Sequence, residues 1–320
     1  MTFLAHLRTT ASGFARSAAG LALGAGLFAA LASGAPVPAF AAVHEGGHEA
    51  TASGPRLWVV RDADSTLYLY GTVHVLRPET QWRSAAVDAA FDSASEVWFE
   101  IDNPDDTAAI TPLIQQHGIS PQRPLSSLLT PEELAALDAA ARTIGATAAQ
   151  MEPLRPWFAA LTLSVAPLAK AGYDPASGVE LVLKARALEA GKSVHGLETV
   201  DKQIRILAGM PEDAQLAFLR STLEDFDQAV AILDALVTAW AAGDVEALDR
   251  LVVQDMKADS PVIHQALLVD RNADWADQIQ RMLAGSGTAF IAVGAAHLAG
   301  EDSVQAILQQ RGVPVQDASR

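Results

Sequence analysis

Cysteine is absent from the whole chain of 320 residues. Its absence excludes disulfide bonds, catalysis by a thiolate, zinc or iron–sulfur sites built on cysteine, and attachment of a lipid to an N-terminal cysteine. Any metal ion in this protein must therefore bind to histidine, aspartate or glutamate side chains.

Positive charge is also scarce, with 22 lysine and arginine residues against 38 aspartate and glutamate residues. Residues 1–41 contain two of the basic residues and none of the acidic ones, so the remainder carries 20 minus 38, or −18. Nucleic acids and anionic membrane surfaces attract basic patches. We therefore expect no nucleic-acid partner.

The N-terminal segment has the layout of a secretory signal peptide. Arg8 and Arg16 precede an acid-free apolar run at residues 18–35, which leads to Ala39-Phe40-Ala41. A retained membrane anchor is the alternative, but the run is rich in alanine and glycine and shorter than about 20 strongly apolar residues. We expect residues 1–41 to be cleaved and the product to be periplasmic or secreted, without stable membrane insertion.

The stretch HEGGH after this leader has the spacing of a zinc-protease motif, with His44, Glu45 and His48. That motif needs a stable helix, because both imidazoles must project from one face towards one ion. The two glycines each cost a helix about 1 kcal/mol relative to alanine, and the following residues supply no apolar stripe. We interpret residues 42–56 as a flexible tail that binds metal only adventitiously.

The rest of the chain has strand patterns at both ends and helical patterns between them. A hairpin is predicted within residues 56–75, with a turn at 62–65 and a second strand at 66–70, followed by a helix and a strand at 95–102. Residues 105–275 have helical periodicity, interrupted by one short strand, KSVHGLE. The strand pattern returns at 287–300, and an amphipathic helix and a last short strand at 313–316 follow. The fold class is therefore α/β (α+β): one domain, residues 57–320, with a mixed sheet of N- and C-terminal segments and a helical cap.

Two similar phrases are the strongest indication of function: YGTVH at residues 70–74 and VGAAH at residues 293–297. Each is an apolar strand that continues into Gly-x-x-His, with Gly71 and Gly294 allowing a sharp turn and His74 and His297 presented at the edge of the sheet. Glu100 in WFEID is a third group at a strand end, where Asp102 is an alternative. We expect these side chains to converge on one site. The other helical or polar histidines are interpreted as surface or satisfied residues: His117, His195 and His264.

These phrases resemble the TraB/GumN family, which includes PrgY-like and Tiki-type proteins. The similarity spans roughly residues 57–316 and includes "GLET" and "RN-x-x-W". It implies a fold like that of the erythromycin esterase and ChaN-like group and, for the Tiki branch, metal-dependent hydrolysis of peptide bonds. The residues that match family phrases are His74, Glu100 and His297, with less defined roles for Glu180, Glu198, Arg271 and Asn272.

A metal site of His74, Glu100 and His297 is chemically compatible with this resemblance. It leaves a position for water on Zn²⁺, Mn²⁺ or Co²⁺, and the metal lowers the pKa of that water from about 15.7 towards about 7. Glu198 or Glu180 is then a candidate general base, and Arg271 a candidate group for stabilising the oxyanion. A salt bridge from Arg271 to an aspartate of its own helix, Asp274 or Asp277, is the competing interpretation.

Two other functions use the same residues. In a metal-free hydrolase, His74 is the general base, Glu100 orients it, and His297 with Arg271 stabilises developing charge. In a non-catalytic exported binder, the pocket holds a peptide, a polysaccharide intermediate or an iron compound. PrgY-like relatives imply peptide pheromones and GumN-like relatives imply polysaccharides, so the expected partner is a peptide or another small exported substrate.

Overall fold

The computed structural model describes residues 54–101, 103–104 and 106–319. The predicted signal peptide, the HEGGH motif and Asp102 lie outside these residues. Within them, no helix combines the length and the apolar character that crossing a membrane requires.

The described residues form one six-stranded sheet. Its strands are β1 (Leu57–Arg61), β2 (Ser65–Thr72), β3 (Glu96–Ile101), β4 (Ser193–Glu198), β5 (Gly287–Gly294) and β6 (Val315–Asp317). The spatial order is β4-β3-β5-β2-β1-β6. The pairs β4–β3, β3–β5 and β5–β2 are parallel, whereas β1 is antiparallel to both β2 and β6. The predicted mixed sheet is confirmed.

The described residues also form fourteen α-helices, joined in places by 3₁₀ or π turns. The helices are α1 (Ala85–Ser93), α2 (Thr107–His117), α3 (Pro131–Thr143), α4 (Ala148–Met151), α5 (Pro156–Lys170), α6 (Val179–Glu189), α7 (Val200–Gly209), α8 (Glu212–Glu224), α9 (Ala229–Ala241), α10 (Val245–Leu248), α11 (Asp255–Asp259), α12 (Pro261–His264), α13 (Asp270–Leu283) and α14 (Val304–Gln310). A capping box of Thr130 and Glu133 begins α3.

The hairpin predicted near the start of the domain is present. Leu57 pairs with Tyr70 and Arg61 with Thr66, and the Asp62 carboxylate accepts a 2.8 Å hydrogen bond from the Ser65 N–H in the turn. Strand β4 corresponds to KSVHGLE, so the helical middle of the chain also contributes a strand to the sheet.

The two faces of the sheet pack against different helices, because successive strand residues point to opposite faces. Phe290 and Ala292 of β5 join the larger core with the helices of the chain's middle, whereas Ile291 and Val293 join a second core. The second core includes Trp275 of α13, together with residues of α14. Helices therefore cover both faces, and the predicted packing of the helical middle on the sheet is confirmed.

Residues 54–56, which the sequence assigns to the tail, belong to the folded body. Pro55 is buried, and the Arg56 Nε–H donates to the Gly243 carbonyl at 3.0 Å. Arg56 also forms an ion pair with Asp317 of β6. The described fold thus begins slightly earlier than the predicted start at residue 57.

Candidate active site

Strands β2 and β5 place the two Gly-x-x-His motifs side by side. The strands are adjacent and parallel, and Thr72 at the end of β2 pairs with Gly294 at the end of β5. His74 and His297 therefore leave the same edge of the sheet. Both side chains are buried, with residue exposures of 8% and 0%.

The glycines of these motifs do not act by adopting a left-handed turn. Gly71 lies within β2, and Gly294 has φ −50° and ψ 136°, a conformation open to any residue. A Cβ atom at Gly71 would lie 3.2 Å from the Ala295 Cα, so Gly71 instead allows close contact between the two motifs.

His74 is held by a carboxylate. Its Nδ1–H donates to Glu180 Oε1 at 2.8 Å, and the Thr72 hydroxyl donates to the same oxygen. Glu180 lies in the first turn of α6, which thereby contacts the chain just after β2. This contact fixes the His74 ring and directs Nε2 away from Glu180.

Several polar atoms near this pair are buried without a hydrogen-bond partner among the described residues. They include His74 Nε2, Glu180 Oε2, Glu198 Oε2 and Gln203 Oε1. Buried polar atoms are normally paired, and an exception among interacting ionisable groups is typical of a functional site. His74 Nε2 thus has no hydrogen-bond partner among the described residues.

His297 is bonded through both ring nitrogens. Its Nδ1 is 2.6 Å from Asn272 Oδ1, and its Nε2 is 3.1 Å from Arg271 Nη1. A guanidinium only donates, so Nε2 accepts and Nδ1–H donates to Asn272, which makes the ring neutral. The Trp275 ring also contacts His297, with a centroid separation of 4.4 Å.

Arg271 is the centre of the buried network, with 3% exposure. Its Nη2–H groups donate to Glu100 Oε2 at 2.6 Å and to Glu198, and its Nε–H donates to Glu198 Oε1 at 2.9 Å. Nη1 faces the Leu267 carbonyl at 3.2 Å as well as His297. All five N–H groups of the guanidinium therefore face protein acceptors.

Glu100 connects the network to β5, because its Oε1 accepts a 2.7 Å hydrogen bond from the Gly294 N–H. Gln203 of α7 is a member that the sequence reasoning missed. Its amide donates to Glu100 Oε2 at 3.1 Å and to Glu198 Oε1 at 3.0 Å, so it joins the two carboxylates. The feature that could have identified Gln203 is its position five residues after Glu198, on the buried face of α7.

The electrostatic environment makes the two histidines different. Burial alone lowers the pKa of His74, but the contact with Glu180 and the charge of Glu100 outweigh it and raise that pKa above its usual value. Burial, Arg271 and His74 together lower the pKa of His297 well below its usual value. Burial raises the pKa of Glu100 despite Arg271, whereas His74 and Thr72 lower the pKa of Glu180 despite burial.

The predicted site residues are therefore brought together in two linked groups. One consists of His74 and Glu180, and the other is arranged around Arg271: Glu100, Glu198, Asn272 and His297. The alternative salt bridges within α13 are wrong. Asp274 pairs with Lys202 and Asp277 with Arg311.

The other histidines of the described residues, His117, His195 and His264, make their contacts outside both groups. His195 stacks on Trp98 with ring centroids 4.5 Å apart. His264 is buried, with Nε2 3.8 Å from an Asp302 oxygen. His117 ends α2 and is half-buried.

The arrangement does not offer the three predicted metal ligands to a divalent ion. His297 Nε2 and Glu100 Oε2 already bond to Arg271, and among the described residues no group of three or more His, Asp or Glu side chains is arranged to hold a metal. A guanidinium lies where the cation was expected. Metal binding stays a prediction, and no step below depends on it.

A comparison with models of protein families identifies the family of this chain. The family model described as TraB/PrgY/gumN matches residues 56–317. The chain belongs to the TraB/PrgY/gumN family. The match includes both Gly-x-x-His motifs and every residue of the buried network, so this network is part of the TraB/PrgY/gumN domain of this chain.

Curated relatives of this TraB/PrgY/gumN chain are distant. An uncharacterized protein of Treponema pallidum (strain Nichols) is 26% identical over 276 residues, covering 79% of this chain and 80% of the relative. The uncharacterized protein YbaP of Escherichia coli (strain K12) is 25% identical over 185 residues, covering 58% of this chain and 68% of YbaP, and YbaP of Shigella flexneri matches equally. No solved structure matches the chain.

Proposed function

We propose that this chain is a hydrolase that adds water to a peptide bond, or to a related amide or ester, with His74 as the general base. The observation that carries the proposal is the state of His74. Its Nδ1 is held by Glu180 at 2.8 Å, while its Nε2 is buried without a partner among the described residues. A carboxylate, an oriented imidazole and a free second nitrogen form the arrangement that activates a water or hydroxyl nucleophile.

In this mechanism neutral His74 accepts a proton at Nε2 from water as the oxygen attacks the substrate carbonyl. Glu180 stabilises the resulting imidazolium through Nδ1–H. The proton then passes from Nε2 to the leaving group, which restores neutral His74. Glu180, rather than the predicted Glu100, is therefore the residue that orients the base.

Arg271 contributes by holding the network in place rather than by a direct hydrogen bond to the substrate in this proposal. Its N–H groups already face protein acceptors, and the carboxylates of Glu100 and Glu198 balance its charge. His297 accepts from Arg271, and its lowered pKa keeps it neutral beside that cation. Arg271 and His297 thus maintain the geometry and the charge balance of the site.

Metal-dependent cleavage, the first expectation from the resemblance, is the second candidate. One observation favours it: a histidine that binds a metal usually donates its other N–H to a carboxylate, as His74 does to Glu180. Against it, His297 and Glu100 would first have to release Arg271. When bound, a divalent ion would supply Lewis-acid chemistry next to His74.

The test uses the purified full chain with libraries of peptides and of aryl esters. We expect His74→Ala to lower turnover about 10²–10⁴-fold, the usual contribution of a general base, and to lower the thermal midpoint as well, because the buried Glu180 carboxylate loses its imidazole partner. His195→Ala is the matched control outside the network. An active wild-type chain with unchanged turnover in His74→Ala would disprove the role of His74, and retained ligand binding without turnover in either protein would favour a binder.

A second arm of the test addresses the metal. Activity is measured after dialysis against a chelator, and metal content is measured by mass spectrometry on protein purified without a histidine tag. Activity that survives in metal-free protein supports the metal-free mechanism. Activity that is lost and returns with Mn²⁺, Co²⁺ or Zn²⁺ supports the second candidate.

We further propose that the protein is exported and acts on a peptide or another small exported substrate. The support is the leader pattern at residues 1–41 and the strong negative charge of the remainder. N-terminal sequencing of the protein from a periplasmic or secreted fraction tests this. We expect the first residue to be Ala42, and an intact Met1 start in the membrane fraction would contradict it.

A further inference from the structure

Gly178, directly before α6, lies against the backbone of His74. The Val179 N–H donates to the Val73 carbonyl at 3.0 Å, and Leu76 and Asp174 exchange backbone hydrogen bonds of 3.4 and 2.9 Å. The start of α6 is therefore fastened to the segment that follows β2. This fastening brings two distant parts of the sequence together at the proposed base.

The space at Gly178 excludes any side chain. A Cβ atom there would lie 2.1 Å from the His74 carbonyl oxygen, 2.8 Å from its carbonyl carbon and 2.9 Å from the Pro175 carbonyl oxygen. The backbone of Gly178 has φ −59° and ψ 140°, which any residue adopts. Close approach, not an unusual conformation, is thus the reason for glycine. Because the obstacles are backbone atoms, no rotamer change relieves the clash.

The consequence of a larger residue falls on Glu180, two residues later. Glu180 Oε1 is 2.8 Å from His74 Nδ1 and also accepts from Thr72. A displacement of about 1 Å would move the nitrogen and oxygen beyond hydrogen-bond distance. Misplacement on that scale can lower a catalytic rate by about 10²-fold.

We infer that Gly178 is a positioning residue for the reaction: its missing side chain lets α6 approach the His74 carbonyl closely enough for Glu180 to hold the His74 ring. The inference rests on the proposed function for the role of His74 in catalysis. The contact itself is independent of any substrate, so it is testable even when no activity is found.

The test compares Gly178→Ala with Glu180→Gln and two control glycines. Gly118→Ala is a control for a backbone clash elsewhere, because its Cβ would lie 3.0 Å from the Ile114 carbonyl oxygen. Gly209→Ala is a control for the substitution itself, because a Cβ there meets nothing within 4 Å. The readout is the far-downfield proton NMR signal expected for a histidine N–H bonded to a carboxylate, assigned by its loss in His74→Ala.

We expect Gly178→Ala and Glu180→Gln both to lose this signal, and both glycine controls to keep it. With a hydrolysed substrate, Gly178→Ala should lower kcat about 10²-fold with little change in KM, and adding Glu180→Gln should lower it no further. A Gly178→Ala chain that keeps the signal and full kcat would overturn the inference. A Gly178→Ala chain that does not fold, as judged by circular dichroism, would overturn it too, since Gly178 would then serve the fold as a whole. A wild-type chain without hydrolysis would refute the proposed function, while the NMR comparison would still decide the role of Gly178.

Discussion

Arg271 shows how a single residue can define a buried site. It is enclosed by two carboxylates, Glu100 and Glu198, and by the ring of His297. A buried charge is tolerated only when it is paired and hydrogen-bonded. Each partner of Arg271 is therefore stable in its place because the guanidinium is present.

Replacing Arg271 with methionine should destabilise the fold strongly. The substitution leaves two buried carboxylates without their cation, and breaking a buried pair in this way costs about 3–5 kcal/mol. Arg311→Met is the matched control, since Arg311 pairs with Asp277 at the surface, where such pairs contribute about 0–1 kcal/mol. Urea unfolding of both variants measures the difference, and equal midpoints would contradict the buried pairing.

The raised pKa of His74 should determine how activity depends on pH. A general base must be unprotonated, so activity should fall as the pH drops through the raised pKa of His74. In Glu180→Gln the contribution of Glu180 is lost while burial still lowers the pKa, so the acidic limb should move to lower pH as the maximum rate falls. The pH dependence of kcat/KM measures the position of this acidic limb in both proteins. An acidic limb at the same pH in Glu180→Gln would show that Glu180 does not affect the pKa that controls activity.

At the scale of elements, Trp240 of α9 supports the first Gly-x-x-His motif. Its indole N–H donates to the Gly71 carbonyl at 2.8 Å in a buried position. Strand β1 pairs with β2 only as far as Tyr70, so this helix supplies a donor just beyond the end of that ladder. Helix α9 thereby helps to fix the path of the chain into His74.

Trp240→Phe should remove this donor, and the smaller ring also leaves a cavity because Trp240 is buried. A buried carbonyl that loses its partner costs about 1–3 kcal/mol. Trp98→Phe serves as the comparison, because the Trp98 indole N–H bonds to the exposed carboxylate of Glu96. The expected result is a lower thermal midpoint and lower activity for Trp240→Phe alone, and equal midpoints would refute the role of this hydrogen bond.

The elements of the sheet and the paired histidine motifs are the features that the sequence predicts well. Short apolar runs rich in aromatic and β-branched residues identify β2 and β5. The strand, helix, strand order after the hairpin predicts a mixed or parallel sheet, and the parallel pairs of β5 with β2 and β3 agree with it. The partners within the site are different. Gln203 and Glu100 are 103 residues apart, and Gly178 acts through empty space beside His74. Such contacts depend on how α6, α7 and α13 pack, which no local pattern specifies.

At the scale of the whole molecule, the parallel strands explain why the site lies where it does. In sheets of this kind, ligand sites form beyond the carboxyl ends of the strands. His74, Glu100, Glu198 and His297 all lie at or just after the ends of β2, β3, β4 and β5. Helices on both faces then bury this edge, which raises the strength of every electrostatic contact there.

The last prediction concerns the part of the chain that precedes this fold. The HEGGH motif offers His44 and His48 at the spacing of a zinc protease, but its two glycines disfavour the helix that such a site needs. We expect deletion of residues 42–53 to leave kcat/KM and the thermal midpoint unchanged, because the site is built from residues after Gly71. If the deletion lowers activity and added zinc increases activity only in the undeleted chain, the chemistry belongs to HEGGH instead. Metal analysis of both proteins provides the independent check.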